Sequence, residues 1–323
     1  MASTVFAKPT LISPHHAVLA LMLVALLVTA KILEPPFVTW NTQTSLASQS
    51  IETAILAVPM TMILITGGID LSIGSIMALA AVTMGLSFEA GTPIGLSAAL
   101  AILVAAFAGT MNGVLVAWGR IHPLIVTLAT LSLFRGIAEA ISSARAISGF
   151  PESFTRLANA SIAGAPLTGL IFFLVLAVGW VMLRCTPAGR YLYAIGLNET
   201  ACRFTGLPVD RAKLWLYTAS GAAAGLCAVL FVARRNTAKA DLGGGMELDV
   251  ITAVVLGGTS VFGGRGGLGG TLLGLLLLHE VRQFISWRWN NDELILVIVG
   301  GLLIGSVLLN QLLTRGSPDR ASR

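Results

Sequence analysis

Two long apolar stretches of this chain are interrupted by the same kind of break. The first, GGIDLSIGSIMALA at Gly67–Ala80, sets two glycines, an apolar residue, an acid and a leucine ahead of a short uncharged run. The second, GGMELDVITAVVLG at Gly244–Gly257, repeats that order in altered form. A simple membrane helix has neither feature. Irregular backbone inside a bilayer survives only where protein or a water-filled cavity satisfies its N–H and C=O groups, and one interruption in each half of a chain points to a transport pathway.

Composition closes off soluble alternatives. With 55% hydrophobic residues, 11% charged residues and a mean hydropathy of +0.86, the 323 residues cannot be wrapped in a water-compatible surface. Spans need roughly 17–25 apolar residues each. Divided at its Gly, Pro and charge clusters, the chain yields about ten, near 15–33, 48–66, 72–88, 94–118, 123–142, 162–183, 213–233, 248–262, 267–286 and 293–311. The third and eighth, which follow the glycine pairs, are short and are expected to be tilted, broken or buried in the bundle. The expectation is an all-α membrane protein, one transmembrane domain over residues 1–323.

Basic residues set the orientation. The segment 185–212 holds Arg190, Arg203 and Arg211 and is flanked by Arg184 and Lys213, which places it in the cytoplasm. With six spans before it and ten in all, the N-terminus with Lys8 and the tail with Arg315, Arg320 and Arg323 are also cytoplasmic. Arg234, Arg235 and Lys239 fall on the outer side in this count and argue against it, although Asp241, Glu247 and Asp249 lie close by. Ala17–Ala30 has the length of a signal-peptide core, but an uncleaved first span is the expected use of such a stretch in a multi-span protein. Cys185, Cys202 and Cys227 form no CxxC pattern; the first two read as reduced thiols of the cytoplasmic segment and Cys227, in a span among Ala and Gly, as a small apolar residue. The charge of +5 and pI near 9.5 suit anionic lipid headgroups rather than nucleic acid.

A second landmark supports duplication. GTMNGVL at Gly109–Leu115 answers GTLLGLL at Gly270–Leu276, sharing GTxxGxL, with the order of landmarks kept and one loop differing in length. Five spans separate the copies in the ten-span count, so halves of about 48–142 and 213–311 would form an inverted repeat.

The chain lacks GxxxxGK[ST] and any His/Cys cluster at metal spacing. GRGGLG at Gly264–Gly269 fits GxGxxG, but it lies between two apolar spans and reads as a tight turn with Arg265 facing the cytoplasm. Charges inside spans cost about 2.5–3.5 kcal/mol each on insertion scales and are functional candidates by default. Arg135 and Glu139, four apart, are expected to form a structural ion pair; beyond Asp70, Glu139 and Glu280 the spans are read as carrying no acid, which weakens proton-coupled transport. Asp70, Ser72, Asn112, Glu247 and Asp249, all polar and beside the breaks or within a span, are the candidates for lining a path.

Ala194–Lys213, AIGLNETACRFTGLPVDRAK, reads as a short capped helix: Asn198 as N-cap, Glu199 at the positive end, Gly206 and Pro208 as the stop. Two turns do not persist alone in water, so the helix lies against the spans or a cytosolic partner.

GGIDLSIGSIMALAA, AIGLNETACRFTGLP and ELDVITAVVLGGTSVFGGRGGLGGTLLGLLLL resemble three stretches of bacterial sugar ABC importer permeases of the ribose, rhamnose and autoinducer-2 type, over about Ser45–Leu308. The middle stretch resembles the loop of permeases that docks the ATPase, with Glu199, Ala201 and Gly206 in matching places; Thr200 and Leu197 depart from the usual alanine and glycine. Asn198, Glu199, Ala201, Arg203 and Gly206 are thereby the candidate ATPase-coupling residues. The resemblance implies two permease subunits, identical or related, around one path in the bacterial inner membrane. It implies a cytoplasmic ABC ATPase that binds the ATP and magnesium, and a periplasmic sugar-binding protein that delivers substrate. This chain would hold no cofactor and catalyse no reaction. Leu131–Ser142, LSLFRGIAEAIS, leans towards the rhamnose or autoinducer-2 members. The alternatives are a branched-chain amino-acid ABC permease, against which GGIDLS argues, and an ion-coupled secondary sugar carrier using Asp70 and Glu247.

Overall fold

In a computed structural model, residues 14–162, 165–289, 293–295, 297–302 and 304–305 are described. Lys8, the basic tail and part of the expected tenth span, 293–311, lie outside them. The helices are α1 Pro14–Leu33, α2 Trp40–Gln49, α3 Ile51–Ile65, α4 Ile73–Glu89, α5 Ile94–Ala117, α6 Pro123–Ser142, α7 Glu152–Thr155, α8 Leu167–Cys185, α9 Pro187–Leu197, α10 Glu199–Phe204, α11 Val209–Arg235, α12 Met246–Leu256 and α13 Leu268–Trp289. Among the described residues strand character is confined to two-residue antiparallel pairings of β1 Ile147–Ser148 with β4 Thr237–Ala238, and of β2 Ser161–Ile162 with β3 Ala165–Pro166.

Among the described residues five helices, α1, α5, α6, α8 and α11, are long and apolar enough to cross a membrane, and α2 with α3, bent by 55°, makes a sixth. The bend falls at Ser50, inside what the sequence reads as one span over 48–66. The two helices after the glycine pairs, α4 and α12, are short, at 17 and 11 residues, as their sequences suggest. Both are largely buried by their neighbours, α4 by α5, α6 and α11, and α12 by α3 and α13. The surface left outside is apolar along α1 and α8, where Leu21, Val24, Ile32, Phe173, Leu174 and Val178 are all exposed. An apolar exterior of that extent suits lipid.

The α5 and α11 helices cross closely. A Cβ on Gly109 would stand 2.2 Å from the Tyr217 carbonyl oxygen, and one on Gly221 would stand 2.3 Å from that of Ala105. Glycines at both faces let the two backbones meet, as small residues do at helix contacts in membranes.

The segment 185–212, read as a loop with one short helix, is mostly helical. Thr186 caps α9 by accepting from the Gly189 N–H at 3.4 Å, and Pro187 starts it, a Thr-Pro signal the sequence reading passed over. The α11 helix begins at Val209 rather than near 213. At this end of the bundle the GRGGLG turn packs beside α3 and α9: the Gly264 N–H donates to the Ile65 carbonyl at 2.8 Å, and the Tyr193 hydroxyl to that of Gly266 at 2.9 Å.

Candidate functional site

The two breaks meet. A Cβ on Gly74, at the start of α4, would stand 2.2 Å from the Gly243 carbonyl oxygen and 2.6 Å from Glu247 Oε2 at the start of α12. Glu247 also accepts from the Gly245 N–H through Oε1 at 3.2 Å. Arg135 serves this junction: its guanidinium donates to the Ala240 carbonyl and, at 2.8 Å, to that of Leu242. The expected pairing with Glu139 is therefore replaced; Glu139 is exposed, and irregular backbone ahead of the second break takes the donors instead.

Beneath the first break lies a closed polar network. Asp70 has no exposed surface; Oδ1 accepts from the Ser72 N–H at 3.0 Å and its hydroxyl at 2.7 Å, and Oδ2 from the Ser220 hydroxyl of α11 at 2.9 Å. Asn112 of α5 donates from Nδ2 to Ser72 Oγ at 2.7 Å, while its own Oδ1 is buried without a partner among the described residues. Tyr217 donates to the Ile69 carbonyl at 3.1 Å. In this conformation Asp70, Ser72 and Asn112, nominated as path-lining, face neither lipid nor an open cavity. Ser220 and Tyr217, some 150 residues along the chain, complete the network and were invisible to spacing arguments.

Two acids that the sequence reading left out of the span charges are also paired. Glu52, buried at the start of α3, meets Arg234 at 2.9 Å, which accounts for one of the basic residues that argued against the span count. Asp249 pairs with Arg282 across α12 and α13.

The capped helix of Ala194–Lys213 is α10. Asn198 Oδ1 accepts from the Ala201 N–H at 2.9 Å. At the other end Gly206 has φ +78°, the Gly206 N–H donates to the Arg203 carbonyl at 3.1 Å, and the Leu207 N–H donates to that of Cys202 at 3.0 Å. Those two bonds, with Leu207 and Cys202 in one apolar cluster, make a Schellman stop. Glu199 bridges Lys213 at 2.6 Å and Arg203 at 2.9 Å, and Arg203 reaches on to Asp210 at 2.5 Å. The network ties α10 to the root of α11. Outward, Phe204 is 87% and Leu197 71% exposed; Leu197 is the departure from the usual glycine, and Phe204 carries no mark in the sequence.

Burial pushes the Glu199 carboxyl up, but hydrogen bonds and charge from Lys213 and Arg203 outweigh it and hold the group below its ordinary range. A depressed carboxyl stabilises above its unfolded pKa of about 4.3 and loses that contribution as pH falls through the folded value. Docking of α10 is therefore expected to be constant from pH 8 to pH 6 and to weaken below about pH 4. Hydrogen exchange at the Cys202 and Thr205 amides, corrected for intrinsic rate, measures it; protection unchanged down to about pH 3 contradicts the role of the pair.

Residues 42–307 match the family described as branched-chain amino acid transport system / permease component. The chain belongs to this permease family. Its curated relatives include the autoinducer 2 import system permease protein LsrD of Yersinia pseudotuberculosis serotype O:3 (strain YPIII) and that of Yersinia pestis (strain Pestoides F). Each is 36% identical over 256 residues, covering 77% of this chain and 77% of the relative. No solved structure matches. The resemblance to sugar ABC importer permeases is borne out, and the chain is a multi-pass membrane transport subunit.

Proposed function

We propose that this chain is the membrane-spanning subunit of an ATP-driven importer that moves a monosaccharide or similar small polyol, of the pentose, rhamnose or autoinducer-2 kind, across the bacterial inner membrane. The observation that supports it most is α10: a capped, ion-paired helix on the basic side, with Phe204 and Leu197 exposed at its ends. An ABC ATPase engages this helix, and its closure on ATP is transmitted through the Glu199–Lys213 and Arg203–Asp210 pairs to α11. A second permease subunit completes the path, and a periplasmic binding protein supplies substrate.

The proposed topology has ten spans, both termini cytoplasmic and two inverted halves. Paired threonines support the halves. Thr110 of the first GTxxGxL bonds Thr218 of α11 at 2.9 Å, and Thr271 of the second bonds Thr61 of α3 at 2.8 Å. All four hydroxyls also reach the carbonyl four residues back along the chain. The helix after each short helix thus contacts the first helix of the other half by the same chemistry. The exchange extends to the short helices, since α4 packs on α11 and α12 on α3.

Between the importer readings, the names of the autoinducer 2 permeases and the GGIDLS string favour a sugar-type solute over a branched-chain amino acid. An ion-coupled carrier is disfavoured because Asp70 already accepts three hydrogen bonds from serines. Purification in mild detergent from native membranes tests the partnership. A stoichiometric ATPase bearing a phosphate-binding loop is the expected companion, and recovery of the chain alone contradicts it.

A further inference from the structure

Away from both α10 and the Asp70 network, a cavity of about 240 Å³ opens where the α2–α3 bend meets the end of α11 and the faces of α12 and α13. Its polar wall includes Gln49, Thr53, Arg235, His279 and Gln283, and its apolar wall Met246, Leu275 and Leu278. We infer that this cavity is a binding site for a neutral, hydroxyl-rich solute of monosaccharide size, the importer's substrate on its way from the outer face. The inference rests on the importer reading and adds a place to it.

Size is the first argument. The volume is below the roughly 300 Å³ at which sites for drug-sized ligands begin, so the occupant is small. Charge is the second. Two of the wall's three arginines are matched in place by acids, Arg234 by Glu52 and Arg282 by Asp249, so among the described residues an ionic ligand finds one cation outside an ion pair, Arg235, and any second contact to a guanidinium means exchanging an existing pair. A sugar needs no such exchange: its hydroxyls donate to carboxyl and amide oxygens, accept from guanidinium and amide N–H groups, and leave a C–H face for the apolar wall.

Unmet hydrogen bonds are the third argument. His279, 8% exposed, has Nδ1 2.5 Å from the Ser50 hydroxyl, while Nε2 is buried with no partner among the described residues. Arg234 Nε is in the same condition. Both side chains belong to the cavity wall, and native interiors rarely leave such groups unmatched. A hydroxyl that reaches them as the side chains adjust relieves both. Asp249, nominated from sequence as path-lining, also stands in this wall, unlike Asp70.

The test uses the complete importer in proteoliposomes, with its binding protein outside, ATP inside, and autoinducer 2, D-ribose and L-rhamnose as probes. His279→Leu and Gln283→Leu are each expected to raise KM for the transported probe about tenfold with kcat within about twofold, and His279→Gln to recover most of the loss. In a separate arm, Gln283→Cys is expected to react with an impermeant maleimide and to be protected by that probe. Wild-type uptake with KM unchanged in all variants and no protection overturns the site while leaving the importer reading intact. Protection by a phosphorylated or carboxylated solute but not by a neutral sugar overturns the ligand class. An absence of ATP-driven uptake in the wild type overturns both readings, and retention of the wild-type elution profile shows that the variants are folded.

Discussion

Glu199→Arg is expected to uncouple the importer while leaving the bundle assembled. The substitution sets three cations, the new arginine with Arg203 and Lys213, around Asp210 alone, and puts positive charge at the first turn of a helix, where the backbone dipole already disfavours it. A six-residue helix has little stability of its own, so loss of these ties frees α10 from α11. Recovery of the companion ATPase on purification should fall at least about tenfold, which corresponds to about 1.4 kcal/mol of association free energy. Detergent-solubilised chain should keep its melting temperature, because the main core lies between α3, α4, α5, α11 and α12. A variant that co-purifies with full ATPase contradicts the assignment of α10.

The second large effect is expected at Asp70. Asp70→Ala removes the acceptor of three hydrogen bonds and leaves the Ser72 N–H and two serine hydroxyls unmatched in a buried site. Each orphaned group costs about 1–3 kcal/mol, so a loss of at least about 3 kcal/mol is expected. That corresponds to a fall of about 6 °C or more in melting temperature. Asp70→Asn keeps an acceptor for Ser72 and offers its amide to the Ser220 oxygen, which accepts as readily as it donates. It should melt within about 2 °C of the wild type. If the two variants are equally damaging, the acid itself, rather than its hydrogen bonds, is what the break requires.

Much of this arrangement is legible in the chain because it is written in local chemistry. Asn198, Gly206 and Pro208 specify the ends of α10 within ten residues, and the glycine pairs announce short helices at α4 and α12. The paired GTxxGxL strings point at two equivalent helix contacts, and their threonines make them. What failed is long-range. Arg135 has Glu139 one turn away, and sequence spacing favours that pair, but unpaired carbonyls at Ala240 and Leu242 compete for the guanidinium from a hundred residues on. Ser220 and Tyr217 sit in an apolar helix with nothing nearby to mark them. Glu52 has no cation near it in sequence, and its partner Arg234 comes from α11. The cavity at the α2–α3 bend is likewise assembled from five helices and has no linear signature.

The central claim, that this chain forms part of an ATP-driven importer of a small sugar, is tested most directly by uptake into vesicles. Purified chain with its ATPase, reconstituted with the binding protein outside, should accumulate autoinducer 2, D-ribose or L-rhamnose only when ATP is inside, and collapsing proton and sodium gradients should leave the rate unchanged. Uptake that proceeds without ATP and stops when an ion gradient is collapsed contradicts the account.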